Sequence, residues 1–444
     1  MPAAMPVSRL VPVRFRSAVL SKLKACSKST DPAIAARGVW PYLKVMDDAS
    51  PDSNWVLETH DSLKAIPAED WDRCAGPDNP LQCHALLAAM EYSQSAVTET
   101  GWMPRHLTLK NSEGRIIAVM PFYAKGHSYG EYVFDHSWAN AWQRAGGQYY
   151  PKGLSAIPFS PVPGERLMVD RTLPQDQRIS IMEALASGAV EAGGQMGLSS
   201  LHITFLSEAE ADFLASSDQG WIRRKGMQFH WHNRDPDHDL PYDGFDNFLE
   251  TLASRKRKVI RRERRDIANS GVRFHRLTGA DLLPHHWDDF YRFYLTTIDK
   301  KWGGAYLTRD FFDQIGATMA DRILLVMAER DGRMIAGALN FIGADTLYGR
   351  NWGCLEEIPF LHFETCYYQA IDHAIDHKLA RVEAGAQGLH KVQRGYEPVD
   401  TWSSHYLYHE GFADAIREFT DRESRAIDRD ADQLREMMPY RKGA

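Results

Sequence analysis

The sequence predicts a mixed α/β (α+β) protein built from two similar domains in tandem. A six-residue phrase, EGRIIA at residues 113–118, returns as DGRMIA at residues 331–336. Each copy lies between two apolar runs, where an acidic residue followed by glycine is typical of a hairpin turn, because glycine adopts the positive φ that the turn requires. A further apolar run follows each copy and leads to Tyr129-Gly130 in the first and Tyr348-Gly349 in the second. We therefore expect two copies of one β-meander, made by duplication.

Length and composition agree with two domains. The chain has 444 residues, of which 44% are hydrophobic, and this is enough to build two or three cores. Its five cysteines include no Cys-x-x-Cys pair, so we expect buried cysteines in a reducing compartment, neither disulfides nor a zinc site. No apolar run approaches the roughly 18 residues of a membrane-spanning helix, so we expect no transmembrane segment.

In the first half, apolar periodicity and turn residues predict a helix pair before the meander and a helix and strand after it. A long loop rich in glycine, proline and aromatic residues separates the two parts. The predicted elements are a strand at 55–58, helices from 67 and at 81–93, the meander at 106–134, the loop at 145–166, a helix at 175–192 and a strand at 201–206.

The second half repeats this order after a junction at 236–244. Its predicted elements are a helix at 245–267 closed by Ser270-Gly271, a strand at 272–276, helices at 286–300 and 307–319, the meander at 323–352, a helix at 360–377, a strand at 381–384 and a helical tail at 414–438. The expected organisation is a leader (1–50), a first domain (51–236), a second domain (237–412) and a charged C-terminal helical tail (413–444).

The formal net charge of −7 argues against a general nucleic-acid binder, but two segments are strongly basic. Residues 1–44 contain eight Lys or Arg and one acidic residue, Asp31. Such a leader is typical either of an organellar transit peptide or of a disordered basic tail. The first alternative places the protein in a chloroplast or mitochondrion, and the second places it in the cytoplasm.

The second basic segment, 255–265, has eight basic residues in eleven positions, among them Arg257 and Arg261. The residues are either a solvated helix face, favoured near a helix C-terminus, or a site for a phosphate-rich partner. We expect the second: CoA, the acceptor end of a tRNA, or an anionic lipid.

The element order and several phrases resemble known families. A helix pair, a meander, a helix and a further strand is the order of GNAT-type acyltransferases. The stretches 248–274 and 379–397 resemble Fem-type transferases. Over residues 55–420, the phrases SYGEYVFD (128–135), YPK (150–152), PFSPV (158–162), EAGAQG (383–388) and HK (390–391) resemble the FemAB-like predicted N-acyltransferases, also labelled peptidoglycan biosynthesis/recognition.

This resemblance implies two tandem GNAT-like domains and acyl transfer to an amine. GNAT enzymes use acyl-CoA and Fem-type relatives use aminoacyl-tRNA, so either is expected as a co-substrate, with no tightly bound cofactor. In the GNAT fold the fourth strand diverges from the fifth, and backbone N–H groups there can serve the reacting carbonyl. No side-chain nucleophile is then required.

Acyl transfer to an amine needs a base, and the strongest candidates follow the last predicted strand. Glu383 lies among apolar residues, so it is either a base with a raised pKa or an ion-pair partner of Lys391 or Arg394. His390 is a candidate for proton transfer or a surface histidine. Gln387, Lys391 and Arg394 are expected to bind substrate or phosphate.

A second cluster ends the first meander. Asp135 and His136 could orient an amine, although Asp135 could instead cap the following turn. Lys152, in the long loop, is a candidate contact for an anionic substrate.

A phosphate-binding loop at a helix N-terminus would hold CoA. The match to the GNAT motif is residues 350–355 (RNWGCL), with Arg350 at its start and Leu355 where a small residue belongs. Cys354 is expected to be a buried cysteine. We expect no metal site.

The predicted function is therefore N-acyl transfer to a small-molecule, lipid or peptide amine, with a tRNA as one option for the donor carrier. The substrate is expected between the domains, with Glu383 and His390 on one side and Asp135, His136 and Lys152 on the other. The alternative is a binding protein that kept the fold, lost catalysis and recognises a peptide, glycan or lipid head group. The sequence leaves donor, acceptor and oligomeric state open.

Overall fold

The computed structural model describes residues 9–11, 43–46, 54–299, 304–385 and 388–441. Within these residues the fold is mixed α/β, with one sheet of eleven strands and one of six.

The strands are β1 Arg9–Val11, β2 Leu43–Met46, β3 Asn54–His60, β4 Trp102–Pro104, β5 His106–Lys110, β6 Ile116–Met120, β7 Tyr123–Lys125, β8 Lys152–Ser155, β9 Met168–Val169, β10 Ser200–Leu206, β11 Ile222–His232, β12 Arg273–Leu277, β13 Ile323–Arg330, β14 Arg333–Ile342, β15 Thr346–Cys354, β16 Arg381–Glu383 and β17 Glu397–Leu407.

The helices are α1 Ala68–Ala75, α2 His84–Tyr92, α3 His136–Arg144, α4 Gln175–Gln195, α5 Glu208–Ser216, α6 Phe245–Thr251, α7 Ser254–Ala268, α8 Pro284–Asp299, α9 Arg309–Thr318, α10 (Leu361–Phe363, a π turn at Glu364–Tyr368, and Gln369–Asp376) and α11 Glu410–Glu436. None of the helices in the described ranges is long and apolar enough to span a bilayer.

The repeated phrase forms two equivalent hairpins, as predicted. Strands β5 and β6 pair antiparallel around Gly114, and β13 and β14 do so around Gly332. Both glycines have positive φ, +79° and +73°, which a side chain at either position would oppose. The duplication seen in the sequence is therefore present in the backbone.

The predicted third strand of the first meander is wrong. The chain leaves the smaller sheet after β6 because Pro121 lacks the N–H that would continue the ladder. Strand β7 pairs instead with β8 and β4 in the larger sheet, and residues 126–134 form a loop. This loop reaches the candidate site described below.

The larger sheet joins both halves of the chain, in the order β12-β13-β14-β15-β16-β11-β17-β10-β8-β7-β4. Strand β11 from the first half pairs with β16 and β17, and β17 pairs with β10. The predicted element order contains neither β11 nor β17, because charged residues and a proline interrupt their apolar alternation. The division at residue 236 stays a prediction.

The smaller sheet has the order β1-β3-β5-β6-β9, with β2 also paired to β3. Structure was expected to begin near Trp55, but β1 and β2 already pair with β3. The rest of the leader lies outside the described residues, so its role as a transit peptide stays a prediction.

Alternation along β15 and β16 decides which side chains face the site. Leu347 and Val382 belong to the core against α10, whereas Tyr348 belongs to the core around α8 and α9. Since Tyr348 pairs with Glu383, both face away from α10. Glu383 is therefore on the side where the first half of the chain lies.

Candidate active site

A wedge opens between β15 and β16. Their parallel pairing covers only Thr346–Tyr348 and Arg381–Glu383. Beyond it β15 continues to Cys354 against β14, while the chain after Glu383 turns at Gly385, where φ is +76°. This is the divergence that the GNAT-like fold predicts, and it leaves one edge of β15 without a strand partner among the described residues.

Glu383 lies at the point where the strands separate and is 3% exposed. Its Oε1 is 3.4 Å from Arg381 Nε and 4.0 Å from His230 Nδ1, and its buried Oε2 has no hydrogen-bond partner within the described residues. Burial raises the pKa of Glu383 to about 7, although Arg381 and Arg350 act in the opposite direction. Such a carboxylate can accept a proton near neutral pH.

His230 is a site residue that the sequence analysis missed. It lies on β11 directly opposite Glu383. Burial and the cations Arg381, Lys391 and Arg350 lower its pKa to about 3, so the imidazole is neutral. Its Nε2 lies 3.3 Å from Gln228 Oε1. The only signal in the sequence is the strand-like alternation of His230, Trp231 and His232.

Arg350 stands inside β15 rather than in a phosphate-binding loop, so the predicted loop at 350–355 is wrong. The extended strand runs to Cys354, and α10 begins only at Leu361. The buried Nε and Nη2 atoms of Arg350 have no partner in the described part of the chain. Burial lowers the pKa of Arg350 to about 10, with Glu383 and Tyr132 acting against it.

The predicted site residues in the loop after β16 have different partners and do not form one cluster. Lys391 is fully buried and donates to the carbonyls of Ala384 and Gly385, at 2.6 and 2.7 Å. Arg394 pairs with Glu263 of α7 at 2.9 Å. The exposed His390 has Nε2 2.8 Å from the Tyr367 hydroxyl. Gln387 lies outside the described residues, and the roles of all four stay predictions.

Lys152, on β8, is the centre of a buried ion cluster. Its Nζ pairs with Asp135, donates to Glu131 Oε2 at 2.7 Å and donates to Ser128 Oγ at 2.9 Å. Burial would lower the pKa of Lys152, but the two carboxylates outweigh it and raise the pKa. These three contacts fix the loop 126–134 to β8. The same loop contains Tyr132, which lies near Arg350 in the gap between β15 and β16.

Asp135 belongs to this cluster and does not cap α3 with its side chain. It accepts a hydrogen bond from the Tyr149 hydroxyl at 2.7 Å. Burial acts to raise the pKa of Asp135, but Lys152 and His202 hold it well below its usual value. His136 is exposed and stacks near Phe134. Substrate contacts of Asp135 and His136 stay predictions.

Lys125, the cross-strand partner of Lys152, was also missed. Its ammonium lies 3.7 Å from the Trp102 ring centroid and donates to the Tyr129 carbonyl at 3.3 Å. Burial lowers its pKa to about 7. A lysine in a short apolar strand gives no signal in the sequence that separates this environment from a surface position.

A groove of about 220 Å³ lies beside the same loop. Residues 132–134, β11 around Arg224 and β17 around Trp402 form its walls. On one side of the groove, Arg224 Nε forms an ion pair with Glu423 Oε2 of α11 at 2.7 Å. The Arg224 guanidinium also donates a hydrogen bond to the carbonyl of Phe134. The groove is large enough for a small head group or a short side chain.

The basic segment forms most of α7. Arg264 pairs with Glu364 and Asp372, and the exposed Arg261 pairs with Asp246. A second group of cations has no ion-pair partner in the described ranges, namely Arg255, Arg257, Lys258 and Arg262. A groove of about 190 Å³ separates α7 from the loop after β16 and is lined by Lys256 and Arg394.

The solved structure of FemX shows which class of fold this is. The crystal structure of FemX is similar at a TM-score of 0.50 and 12% identity, covering 79% of this chain and 98% of that one. L-PGS from Bacillus licheniformis has a TM-score of 0.43 at 10% identity, over 75% and 93% of the two chains. A tandem GNAT protein from the clavulanic acid biosynthesis pathway has a TM-score of 0.39 at 12% identity, over 80% and 98%. The fold is therefore a mixed α/β fold of the FemX type, as predicted.

The family follows from the sequence match. The FemAB-like model, described as peptidoglycan biosynthesis/recognition, matches residues 62–442, and the chain belongs to this family. No curated protein matches the chain. The description of this family names both biosynthesis and recognition.

Proposed function

We propose that the protein is an N-acyltransferase that moves an acyl or aminoacyl group from a CoA- or tRNA-linked donor to an amine. The observation that carries this proposal is the buried carboxylate of Glu383, whose unpartnered oxygen lies where β15 and β16 separate. A base there needs a pKa near the working pH, and the pKa of Glu383 is about 7.

In this mechanism the donor enters along the open edge of β15. Backbone N–H groups of that edge stabilise the carbonyl oxygen as it becomes negative. Glu383 takes the proton of the attacking amine, and neutral His230 beside it leaves the carboxylate free to do so. Tyr132, held by the Lys152 cluster, closes the site from the first half of the chain.

The carrier of the acyl group is proposed to lie across α7. Arg257 and its neighbours Arg255 and Lys258 offer charge to phosphates without first breaking an ion pair. Arg394 and Lys391 connect this surface to the wedge, since Arg394 binds Glu263 of α7 and Lys391 holds the loop after β16. The donor is a co-substrate, so no tightly bound cofactor is proposed.

A second candidate is a binding protein without catalysis. It is favoured by the strand at residues 350–354, because a CoA-dependent enzyme of this fold would be expected to offer a loop at the N-terminus of α10. Such a protein would hold a peptide, glycan or lipid head group in the groove beside residues 132–134.

Mass spectrometry of molecules that co-purify with the full chain separates the two candidates. The wild-type protein should carry an acyl donor or an amide product, and the Glu383→Gln variant should accumulate unreacted donor and amine. Recovery of one unmodified ligand from both proteins, with neither donor nor amide, would favour the binding protein.

A further inference from the structure

The wedge carries more positive than negative side chains. Arg350, Arg381 and Lys391 all act on the groups around Glu383. The charge of Arg381 is compensated by two carboxylates. Its Nε lies 3.4 Å from Glu383 Oε1, and its Nη2 lies 3.8 Å from Asp345 Oδ1. Arg350 and Lys391 have no carboxylate partner among the residues that the structure describes.

These two cations differ in what they can still bind. Lys391 already donates to two backbone carbonyls. Arg350 has two buried nitrogens, Nε and Nη2, without any partner in the described ranges. Buried guanidinium nitrogens cost free energy unless an anion or hydrogen bonds compensate them, and burial correspondingly lowers the pKa of Arg350. The unused donors therefore indicate an anionic group on the ligand.

Arg350 and Glu383 face the same space. The charges of Arg350 and Glu383 act on each other's pKa, and Tyr348, the strand partner of Glu383, acts on the pKa of Arg350 as well. Glu383 Oε2 and the free nitrogens of Arg350 thus offer one acceptor for an amine and one donor group for an anion to the same ligand.

We propose that the amine acceptor is an α-amino acid, with its amine at Glu383 and its carboxylate on Arg350. The guanidinium fork matches the two oxygens of a carboxylate. Arg350 lies within β15 and not in a loop that leads into the N-terminus of α10, where helix N–H groups would favour a bound phosphate.

This inference rests on the proposed acyl transfer, and the same bonds form and break in both. The amino-acid nitrogen forms a bond to the carbonyl carbon of the donor, and the bond from that carbon to sulfur or to ribose oxygen breaks. The nitrogen proton passes to Glu383, and the departing thiolate or alkoxide takes up a proton. The product is an N-acyl amino acid that keeps its carboxylate on Arg350.

Calorimetric titration of the full chain with matched ligand pairs tests the inference. Each common amino acid is paired with the amine that lacks only its carboxylate, such as phenylalanine with 2-phenylethylamine. At least one amino acid should bind about 30-fold or more tightly than its paired amine, as expected for a buried charge-assisted contact. Arg350→Gln should remove this difference, and Arg350→Lys, which keeps the charge without the fork, should reduce it. Arg333→Gln, at the exposed start of β14, is the matched control and should preserve it.

Equal affinities within every pair, or no binding of any amino acid, would overturn the inference, and this wild-type comparison does not depend on whether the variants fold. Acyl transfer to amines without a carboxylate at the same rate as to amino acids would leave the proposed function standing and refute only this inference. Amino-acid binding without any acyl transfer would refute the proposed function instead.

Discussion

At the scale of the residue, Glu383 combines burial with an unused oxygen. A carboxylate that served only as a structural ion-pair partner would have both oxygens near cations. In Glu383 only Oε1 approaches Arg381 and His230. Its raised pKa has consequences for both activity and stability, because the folded protein holds a proton there that the unfolded chain has already lost.

The activity should therefore depend on pH through Glu383. Because the base must be ionised, the rate of the chemical step should rise about tenfold per pH unit below about pH 7 and then level off. The folded pKa lies above the unfolded value of 4.5, so the stability that this group contributes is complete below pH 4.5 and is lost as the pH rises through about 7. Glu383→Gln should accordingly become more stable relative to wild type over that interval, as chemical denaturation at several pH values would measure. A flat rate profile between pH 5 and 7 would contradict the assignment.

Lys152 should be a large contributor to stability. Lys152→Met would leave Glu131 and Asp135 buried without their cation, and breaking such a buried pair costs about 3–5 kcal/mol. Arg417→Met removes an exposed pair with Asp414 and should cost at most about 1 kcal/mol. Urea titrations of both variants measure the difference, and equal losses would show that the cluster is not the anchor described here.

At the scale of the element, α7 divides its cations between structure and solvent. Arg264 joins α7 to α10 through Glu364 and Asp372. Three other cations of α7 have no ion-pair partner among the described residues. Arg255 and Lys258 are exposed, and Arg257 is half-buried. These three cations can therefore be removed without breaking an ion pair that joins α7 to the rest of the described fold.

The variant Arg255→Ala/Arg257→Ala/Lys258→Ala should weaken binding of a phosphate-bearing donor and flatten the salt dependence of that binding. Its melting temperature should change little, since exposed charges contribute about 1 kcal/mol or less each. Arg264→Ala is the matched control on the same helix and should lower stability more than the triple variant does. Donor binding that is unchanged in the triple variant would leave α7 a structural element only.

The elements show where sequence-based prediction works and where it stops. Local signals were sufficient for the hairpins at Gly114 and Gly332, for α4 and for α11, because turn residues and helical periodicity act within a short window. Glu383 stood out because a charged residue in an apolar strand is unusual. His230 and Tyr132 could not be assigned, because their places in the site depend on the pairing of β11 with β16 and on a loop that crosses between the two halves.

At the scale of the whole molecule, the two halves share both a sheet and a core. Strand β17 lies between β11 and β10. The core that contains Trp71 and Leu86 from the first half also contains Trp287 and Phe312 from the second. Duplicated units joined in this way cannot lose one half without exposing the apolar surface of the other.

Unfolding should therefore be a single cooperative transition. Hydrogen exchange should give the same opening free energy for protected amides of β6 in the first half and of β14 in the second. Two separate transitions, or a much lower opening free energy for one sheet than for the other, would show that the halves are independent domains.

The central claim is that Glu383 is the base of an acyl transfer, and the single-turnover rate of amide formation in Glu383→Gln tests it most directly. Glutamine keeps the shape of the side chain but accepts no proton. Donor and acceptor affinities should be retained, and the rate should fall by about 10²–10⁴-fold. An unchanged rate, or a loss of substrate binding that accounts for the whole defect, would contradict the claim.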